Sequence, residues 1–299
     1  MNHSHRFALA LVACALAACD AATKEDAAAV NAPGPPAPIF TNAERVAITG
    51  YEGDAMEPFV SHDGKYLFFN NSNASDVDTN LHYAERVDDV TFRYRGLLGG
   101  ANSAELDGVA SMDRNGAFYF ISLRDAARTQ VSIYRGTFAN GALSGVEPVQ
   151  GIAPTEFGML DYDAAISPDG NELFYVEGVF VFLSVPFSGN IVVANRNGPG
   201  FTRASNTDEI MREVNAGAVA YAPAISQSGL EIFFNRIEGG TPVVYTATRS
   251  STSTPFGTPR KIASIDGFAE GPALSPDEKS LYYHRLDGGR YMLHRVTRQ

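Results

Sequence analysis

The chain has 299 residues, of which 44% are hydrophobic and 11% aromatic, and it contains no tryptophan. It carries 34 acidic residues against 23 lysines and arginines, which gives a formal net charge of −11. This balance argues against nucleic acid and anionic lipid surfaces as partners. The two cysteines, Cys14 and Cys19, offer no framework of internal disulfides.

The first 18 residues have the pattern of a bacterial export signal. A short basic start with Arg6 precedes an apolar run over 7–18, which is shorter than the ~20 residues that a transmembrane helix requires. Leu16-Ala-Ala-Cys19 also resembles a lipobox, in which the cysteine is acylated and becomes the first residue of the mature chain. We therefore predict a lipoprotein signal peptide at 1–18 and lipidation at Cys19. Simple secretion after cleavage near Ala18 is the alternative.

Residues 19–39 are rich in alanine, proline and charged residues, and they lack the apolar residues that a folded core needs. We predict a flexible tether over 19–39 and a single folded domain over 40–299. The protein would then be anchored to a membrane of the bacterial cell envelope and face the periplasm.

Five similar units occupy the predicted folded domain. Each has an apolar strand, a turn that contains a serine, and a strand rich in Phe and Tyr. The turn serines are separated by 50, 56, 59 and 49 residues: Ser61, Ser111, Ser167, Ser226 and Ser275. A repeat of about 50 residues is typical of a propeller blade with four strands. Turns such as Ser167-Pro-Asp-Gly170 favour a tight connection between the first two strands.

Two further features recur at the end of most units. The third strand ends in an arginine, at Arg86, Arg196, Arg249 and Arg298, and a phenylalanine marks the start of the fourth strand, at Phe92, Phe138, Phe201 and Phe256. We interpret the arginines as members of solvated ion pairs between blades, with an anion site as the alternative.

The fifth unit has no fourth strand of its own before Gln299. A counterpart lies at the start of the folded domain, where 40–46 (FTNAERV) has the form of 256–262 (FGTPRKI). A strand from this segment would complete the last blade and leave only short, protected edges. We therefore predict an all-β fold, a five-bladed β-propeller of four-stranded blades, closed by the N-terminal strand.

The repeated unit resembles the TolB-like, PD40-type (WD40-like) β-propeller repeats, whose consensus P-x-x-S-P-D-G-x-x-L-x-F precedes a strand ending in A-x-R. The resemblance covers roughly Phe40 to Arg298. It departs from the consensus in the turn Gln227-Ser-Gly229 and in an extra residue within 111–116. The resemblance implies a protein-binding module of the cell envelope or a regulatory domain of a hydrolase.

Acidic residues recur four positions before the turn serines, where the first strand of a blade is expected to border the central channel. Glu57, Asp107 and Asp163 hold this position in the first three units. Other polar residues of the later units lie close to it. Together they predict a ligand site at one mouth of the channel, formed by Glu57, Asp107, Asp161, Asp163, Tyr221 and Glu270. The alternatives are hydrogen bonds to backbone amides, or a bound cation.

We expect a monomeric, non-catalytic module that binds an envelope protein, a peptide or a glycan, with no cofactor and no dedicated metal site. The alternative is a carbohydrate-active hydrolase or lyase that uses the channel carboxylates as acid and base. A purely structural subunit is a third hypothesis. The sequence contains no G-x-S-x-G elbow, no H-E-x-x-H motif and no C-x-x-C pair.

Overall fold

The computed structural model describes residues 36–74, 77–154, 156, 158–181 and 185–299. Five sheets, arranged as the blades of a β-propeller, contain the described strands. Two helices of four residues, α1 (Ala126–Thr129) and α2 (Thr207–Ile210), lie in loops. The predicted signal peptide, Cys19 and all but the last four residues of the predicted tether lie outside the described residues.

The blades follow one another along the chain after β1 (Phe40–Arg45). The first blade contains β2 (Ala47–Thr49), β3 (Met56–Val60), β4 (Tyr66–Asn70), β5 (Leu81–Arg86) and β6 (Thr91–Leu97). The second contains β7 (Asp107–Met112), β8 (Ala117–Ser122), β9 (Ile133–Ala139) and β10 (Ala142–Pro148). The third contains β11 (Met159–Ile166), β12 (Glu172–Val181), β13 (Val185–Asn197) and β14 (Gly200–Arg203).

The last two blades complete the ring. The fourth contains β15 (Ala220–Ile225), β16 (Glu231–Glu238), β17 (Thr241–Thr248) and β18 (Arg260–Lys261). The fifth contains β19 (Ala269–Leu274), β20 (Ser280–Asp287), β21 (Arg290–Arg298) and the N-terminal strand β1. The predicted fold class is therefore confirmed.

Strand β1 closes the ring, as predicted. It pairs antiparallel with β21, with Phe40 opposite Arg298 and Glu44 opposite Arg295. The chain then continues into β2, which pairs in parallel with β6 of the first blade. One continuous segment thus belongs to the last blade at its start and to the first blade at its end.

Aromatic side chains fill the spaces between blades. The ring of Phe68 contacts Phe118 and Phe138 of the next blade, with centroid distances of 5.0 and 4.9 Å. Both faces of the second strands are covered by neighbouring blades, so Leu67 and Phe69 are buried as well as Phe68. This double burial explains why these strands are continuous apolar runs rather than alternating ones.

Two of the four predicted starts of fourth strands are wrong. Phe138 lies in β9, a third strand, because Asn140 and Gly141 have φ of 50° and 81° and form the two-residue turn into β10. Phe256 precedes β18, which begins only at Arg260. Phe92 and Phe201 lie in β6 and β14, as predicted.

The turn of the second blade also differs from the prediction. It begins at Asp113, whose carboxylate accepts the backbone N–H groups of Asn115 (2.8 Å) and Ala117 (2.9 Å). Ser111, the expected turn serine, lies within β7, where its hydroxyl accepts the backbone N–H of Ile166 in the next blade (3.0 Å). Asp113 is therefore the equivalent of Ser61 and Ser167.

Two of the arginines that end the third strands, Arg249 and Arg298, connect blades rather than forming solvated pairs. Arg249 is 1% exposed, and its guanidinium lies 4.5 Å from the ring centroid of Phe256. It donates to the carbonyl oxygen of Gly229 in the turn (2.8 Å) and contacts Glu172 of the preceding blade (3.3 Å). The solvated-pair interpretation is therefore wrong for Arg249.

Arg298 repeats this arrangement at the ring closure. Its guanidinium lies 5.2 Å from the ring centroid of Phe40, which belongs to the N-terminal strand. It donates to the carbonyl oxygen of Glu278 (2.8 Å) and to both carboxylate oxygens of Glu231 in the fourth blade (3.1 and 2.7 Å). The side chain therefore connects the fourth blade, the fifth blade and the closing strand.

We predict that Arg298→Ala destabilises the propeller by about 2 kcal/mol, because it leaves a partly buried Glu231 carboxylate unpaired and removes the contact with Phe40. The matched control is Arg86→Ala. Arg86 holds the same repeat position, but its partner Asp89 is exposed, so the loss should stay within about 0.5 kcal/mol. Urea denaturation measures both values, and equal losses would contradict the role of Arg298.

Candidate functional site

A β-bulge interrupts the first strand of every blade where it borders the central channel. In the first blade the pairing of β3 with β4 shifts between Met56 and Phe59, and the other four blades shift at the equivalent point. One residue of each bulge has a left-handed backbone: Glu57, Val109, Asp163, Ala222 and Gly271, with φ between 49° and 66°. We call these five residues the bulge ring. Bulges of this kind re-aim side chains and are frequent beside functional sites.

Side chains of the second strands hold the bulge ring in place. In three blades, a polar residue that follows the aromatic run of the second strand accepts the backbone N–H of the next blade's ring residue. The bonds are Asn70 Oδ1 to Val109 N–H (3.1 Å), Asn235 Oδ1 to Gly271 N–H (3.0 Å) and His284 Nδ1 to Glu57 N–H (3.1 Å). The first, fourth and fifth blades thus orient the channel residue of the blade that follows them.

The contact between the third and fourth blades is made differently. The third blade has Val176 at the position of Asn70, and valine has no acceptor to offer. Instead, Asp163 of the bulge ring accepts the N–H of Ala222 through Oδ2 (2.9 Å). The Asp163 carboxylate therefore binds the backbone of the next blade and also borders the channel.

On one side of the bulge ring the channel widens into a cavity of about 450 Å³, which we call the channel cavity. Its walls are mainly apolar and include Leu106, Ile121, Leu123, Leu160, Ile237 and Phe268. Glu57, Asp163, Tyr221 and Glu270 also line it, and Glu57 and Asp163 belong to the bulge ring itself. A largely apolar cavity with a few convergent polar groups is the usual form of a ligand site.

On the other side of the bulge ring only about 60 Å³ of space remains. Turns from four blades meet across the channel there. The side chain of Gln227 contacts Nδ1 of His62 (3.1 Å) and accepts a hydrogen bond from Arg114, and its backbone N–H donates to Glu278. A ligand can therefore fill the channel cavity but finds little space beyond the ring.

Glu57 is 7% exposed and only partly paired. Its Oε1 accepts from the side-chain amide of Asn73 (2.8 Å), whereas no described residue donates to Oε2. A Cβ at Gly271 would lie 2.5 Å from Oε2, so only glycine leaves room for this carboxylate. Burial raises the pKa of Glu57 and the charge of Glu270 adds to the rise, against the opposing effects of His284 and Asn73.

The pKa values of Asp163 and Glu270, which also line the cavity, are shifted in opposite directions. Burial, followed by the charge of Glu57, raises the pKa of Asp163 well above its ordinary value. Burial also opposes ionisation of Glu270, but the contact with His284 Nε2 at 3.5 Å and a hydrogen bond from the Tyr221 hydroxyl lower its pKa overall. Glu270 is therefore held ionised, while Asp163 retains a proton more readily.

The structure brings together four of the six predicted site residues, namely Glu57, Asp163, Tyr221 and Glu270. Asp107 lies outside the cavity, because the turn of its blade begins at Asp113 and the equivalent ring residue is Val109. The buried carboxylate of Asp107 pairs instead with Arg124 (2.9 Å) and accepts a hydrogen bond from the hydroxyl of Ser103 (2.7 Å).

Asp161 also lies outside the cavity lining. It is 4% exposed and stands opposite Glu177 in the pairing of β11 with β12. Burial, with a smaller effect from the Glu177 charge, raises the pKa of Asp161 to about 7. This carboxyl group is therefore a source of pH-dependent stability rather than a lining residue of the cavity.

The residues that hold the bulge ring were missed in the sequence. Their signal is a polar residue directly after the aromatic run of the second strand, in LFFN ending at Asn70, IFFN ending at Asn235 and LYYH ending at His284. Among the described residues, no group of three or more His, Cys, Asp or Glu side chains is placed to hold a metal ion. No helix in the described part of the chain is long and apolar enough to span a membrane.

No protein-family model and no curated protein matches this chain. Solved propeller structures do match it. The family 117 glycoside hydrolase Zg3597 from Zobellia galactanivorans is 9% identical, with a TM-score of 0.57 over 87% of this chain and 90% of that chain. The catalytic domain of a GH62 α-L-arabinofuranosidase from Coprinopsis cinerea is 14% identical, with a TM-score of 0.54 over 89% and 98%.

A putative TolB from Agrobacterium tumefaciens is also similar in structure. It is 16% identical, with a TM-score of 0.46 over 78% of this chain and 70% of that chain. At these identities the similarities show the shared propeller fold alone, and a TM-score of 0.46 supports no functional argument. Membership of the PD40-type repeat family stays a prediction.

We predict that Asp161→Asn makes the protein more stable above pH 7, by about 2 kcal/mol after allowance for partial screening by solvent. The folded state binds a proton at Asp161 up to about pH 7, whereas the unfolded chain releases it near its ordinary pKa of 3.8. Stability is therefore lost as the pH rises through this window, and asparagine removes the loss.

Thermal unfolding of the parent and the variant across this pH range tests the prediction, and the two should converge at the acidic end. Asp208→Asn is the control, because it makes the same substitution at an exposed side chain. A stability difference between the parent and Asp161→Asn that is constant with pH would contradict the assigned titration.

Proposed function

We propose that this protein is a binding module of the bacterial cell envelope that holds a peptide, a protein segment or a glycan in its channel without chemistry. The channel cavity carries the proposal, because it combines apolar walls, polar groups at the bulge ring and a volume of about 450 Å³. The resemblance to TolB-like repeats supports the proposal, since propellers of that kind bind proteins in the envelope.

We also propose that a lipid on Cys19 attaches the module to its membrane on the periplasmic side and that the module works as a monomer. The lipobox Leu16-Ala-Ala-Cys19 and the tether 19–39 support this proposal. Fully extended, the tether spans at most about 70 Å, so the propeller could reach partners well away from the bilayer surface.

A carbohydrate-active hydrolase is the second candidate, and one observation favours it. The environment of Asp163 raises its pKa and that of Glu270 lowers its pKa, which are the opposed states of a general acid and a general base. The five-bladed fold is also one on which glycoside hydrolases are built, as the family 117 and GH62 enzymes show.

The proposed binding function predicts that filling the channel cavity removes the natural ligand. Leu123→Trp places a larger side chain in the cavity, and we expect at least a tenfold loss of the species that copurifies with the protein from its native membrane. The matched control Leu97→Trp makes the same change at a site that is 53% exposed and outside the cavity, and it should retain the ligand. Native mass spectrometry measures the occupancy.

Equal occupancy in Leu123→Trp and Leu97→Trp would overturn binding in the channel. Turnover of aryl glycosides by the parent protein, with loss of turnover in both Glu270→Gln and Asp163→Asn, would transfer the assignment to the hydrolase. The parent protein and these four variants therefore separate the two functions.

The lipid anchor predicts that Cys19→Ala moves the protein from the detergent phase to the aqueous phase in a phase separation of whole cells, because the acylated thiol is lost. Cys14→Ala is the matched control, since Cys14 lies within the predicted signal peptide and should leave the anchor intact. Intact-mass measurement of the mature protein identifies the acyl chains. Retention of Cys19→Ala in the detergent phase would rule out this anchor.

A further inference from the structure

Building on the binding function proposed above, we infer that the bulge-ring end of the channel cavity recognises a primary ammonium group carried on an apolar body. Glu57, Asp163 and Glu270 come from three different blades and line the same cavity. No lysine or arginine is present in the described lining of that cavity. A cationic head group would therefore meet carboxylates at this end, while its apolar body would contact the walls.

Two carboxylate oxygens of residues that line the cavity are available for such a group. Oε2 of Glu57 receives no hydrogen bond from a described residue, although the side chain is more than nine-tenths buried and lines the cavity. In Asp163 only Oδ2 has a described donor, the N–H of Ala222. A carboxylate in a largely apolar cavity is costly unless it is paired, so a ligand that supplies donors is favoured here.

The chemistry of an ammonium group suits these acceptors better than that of the other biological cations. It is compact and has three donors that can serve acceptors in different directions, whereas a guanidinium needs a coplanar carboxylate fork. A metal ion would require more ligands than this cluster supplies, because no group of three metal-binding side chains occurs among the described residues. Hydrogen bonds between ammonium and carboxylate are also about twice as strong as neutral ones.

Ammonium binding should be linked to proton release. Burial raises the pKa of both Glu57 and Asp163, so a bound cation that favours their ionised forms displaces protons. Glu270, Tyr221 and His284 face the same carboxylates, and loss of a proton from His284 would strengthen cation binding in the same direction. Affinity for an amine should therefore rise with pH. Asp163→Asn removes the part of this rise that comes from ionisation of Asp163.

The test uses isothermal titration of the full-length protein with hexylamine, hexanol and hexanoate, which differ only in their head group. We expect hexylamine to bind at least about tenfold more tightly than hexanol, and hexanoate more weakly still. Asp163→Asn and Glu57→Gln should each abolish most of the preference for the amine. Both amides keep an oxygen that can accept the existing hydrogen bonds from Ala222 and Asn73.

Asp161→Asn is the matched control, because Asp161 is a buried carboxylate on the same strand but outside the cavity lining. It should leave the preference unchanged. A second pair of probes identifies the source of the amine: a short apolar peptide amide with a free amino terminus, and the same peptide acetylated. Preference for the free peptide over both the acetylated form and hexylamine would assign the site to peptide amino termini, whereas stronger binding of hexylamine would assign it to small amines.

Equal affinity for hexylamine and hexanol would overturn the ammonium inference. If Leu123→Trp then blocked both probes, the cavity would still be a binding site and the proposed function would stand. Preference for the amine that survives in both Asp163→Asn and Glu57→Gln would also overturn the inference, because the carboxylates would not be its cause.

Discussion

Pairing of β1 with β21 is the interaction on which the rest of the structure depends. A propeller with an open last blade would expose the edge of β21 and leave the first and fifth blades free to separate. Closure adds the ladder from Phe40 to Arg45, and Arg298 reinforces it through Phe40 and through Glu231 of the fourth blade. The same segment continues into β2 against the first blade, so the two ends of the ring are joined by one stretch of chain.

The candidate site is a direct consequence of that closure. Glu57 and His284 are 227 residues apart in sequence, yet the backbone N–H of one donates to the ring nitrogen of the other. Glu270 contacts the second nitrogen of the same imidazole. The first and fifth blades therefore share a buried polar group at the point where the ring is closed, and the acidic end of the channel cavity is assembled from both.

Most of the strands, the number of blades and the closing strand could be predicted because their signals are local. Turn residues and aromatic runs repeat at a nearly constant spacing, and 40–46 has the form of 256–262. The error over Asp107 has a chemical origin, since the carboxylate of Asp113 makes the same backbone bonds as a turn serine and shifts the spacing by two positions. The sequence predicted that Glu57 and Glu270 share a site, but not that His284 contacts both of them, because no local pattern shows which side chains meet where the first and fifth blades join.

The five blades have different residues at equivalent channel positions, and these differences determine the chemistry of the channel. All five ring positions have the same left-handed backbone, but only Glu57 and Asp163 have a carboxyl group there, and Gly271 leaves the space that Glu57 occupies. Because Val176 stands where other blades have an amide side chain, Asp163 makes the hydrogen bond to the next blade. This bond holds the Asp163 carboxylate at the cavity. The repeat thus supplies a rigid and nearly symmetric frame, and a few substitutions in equivalent positions concentrate negative charge at one end of an otherwise apolar cavity.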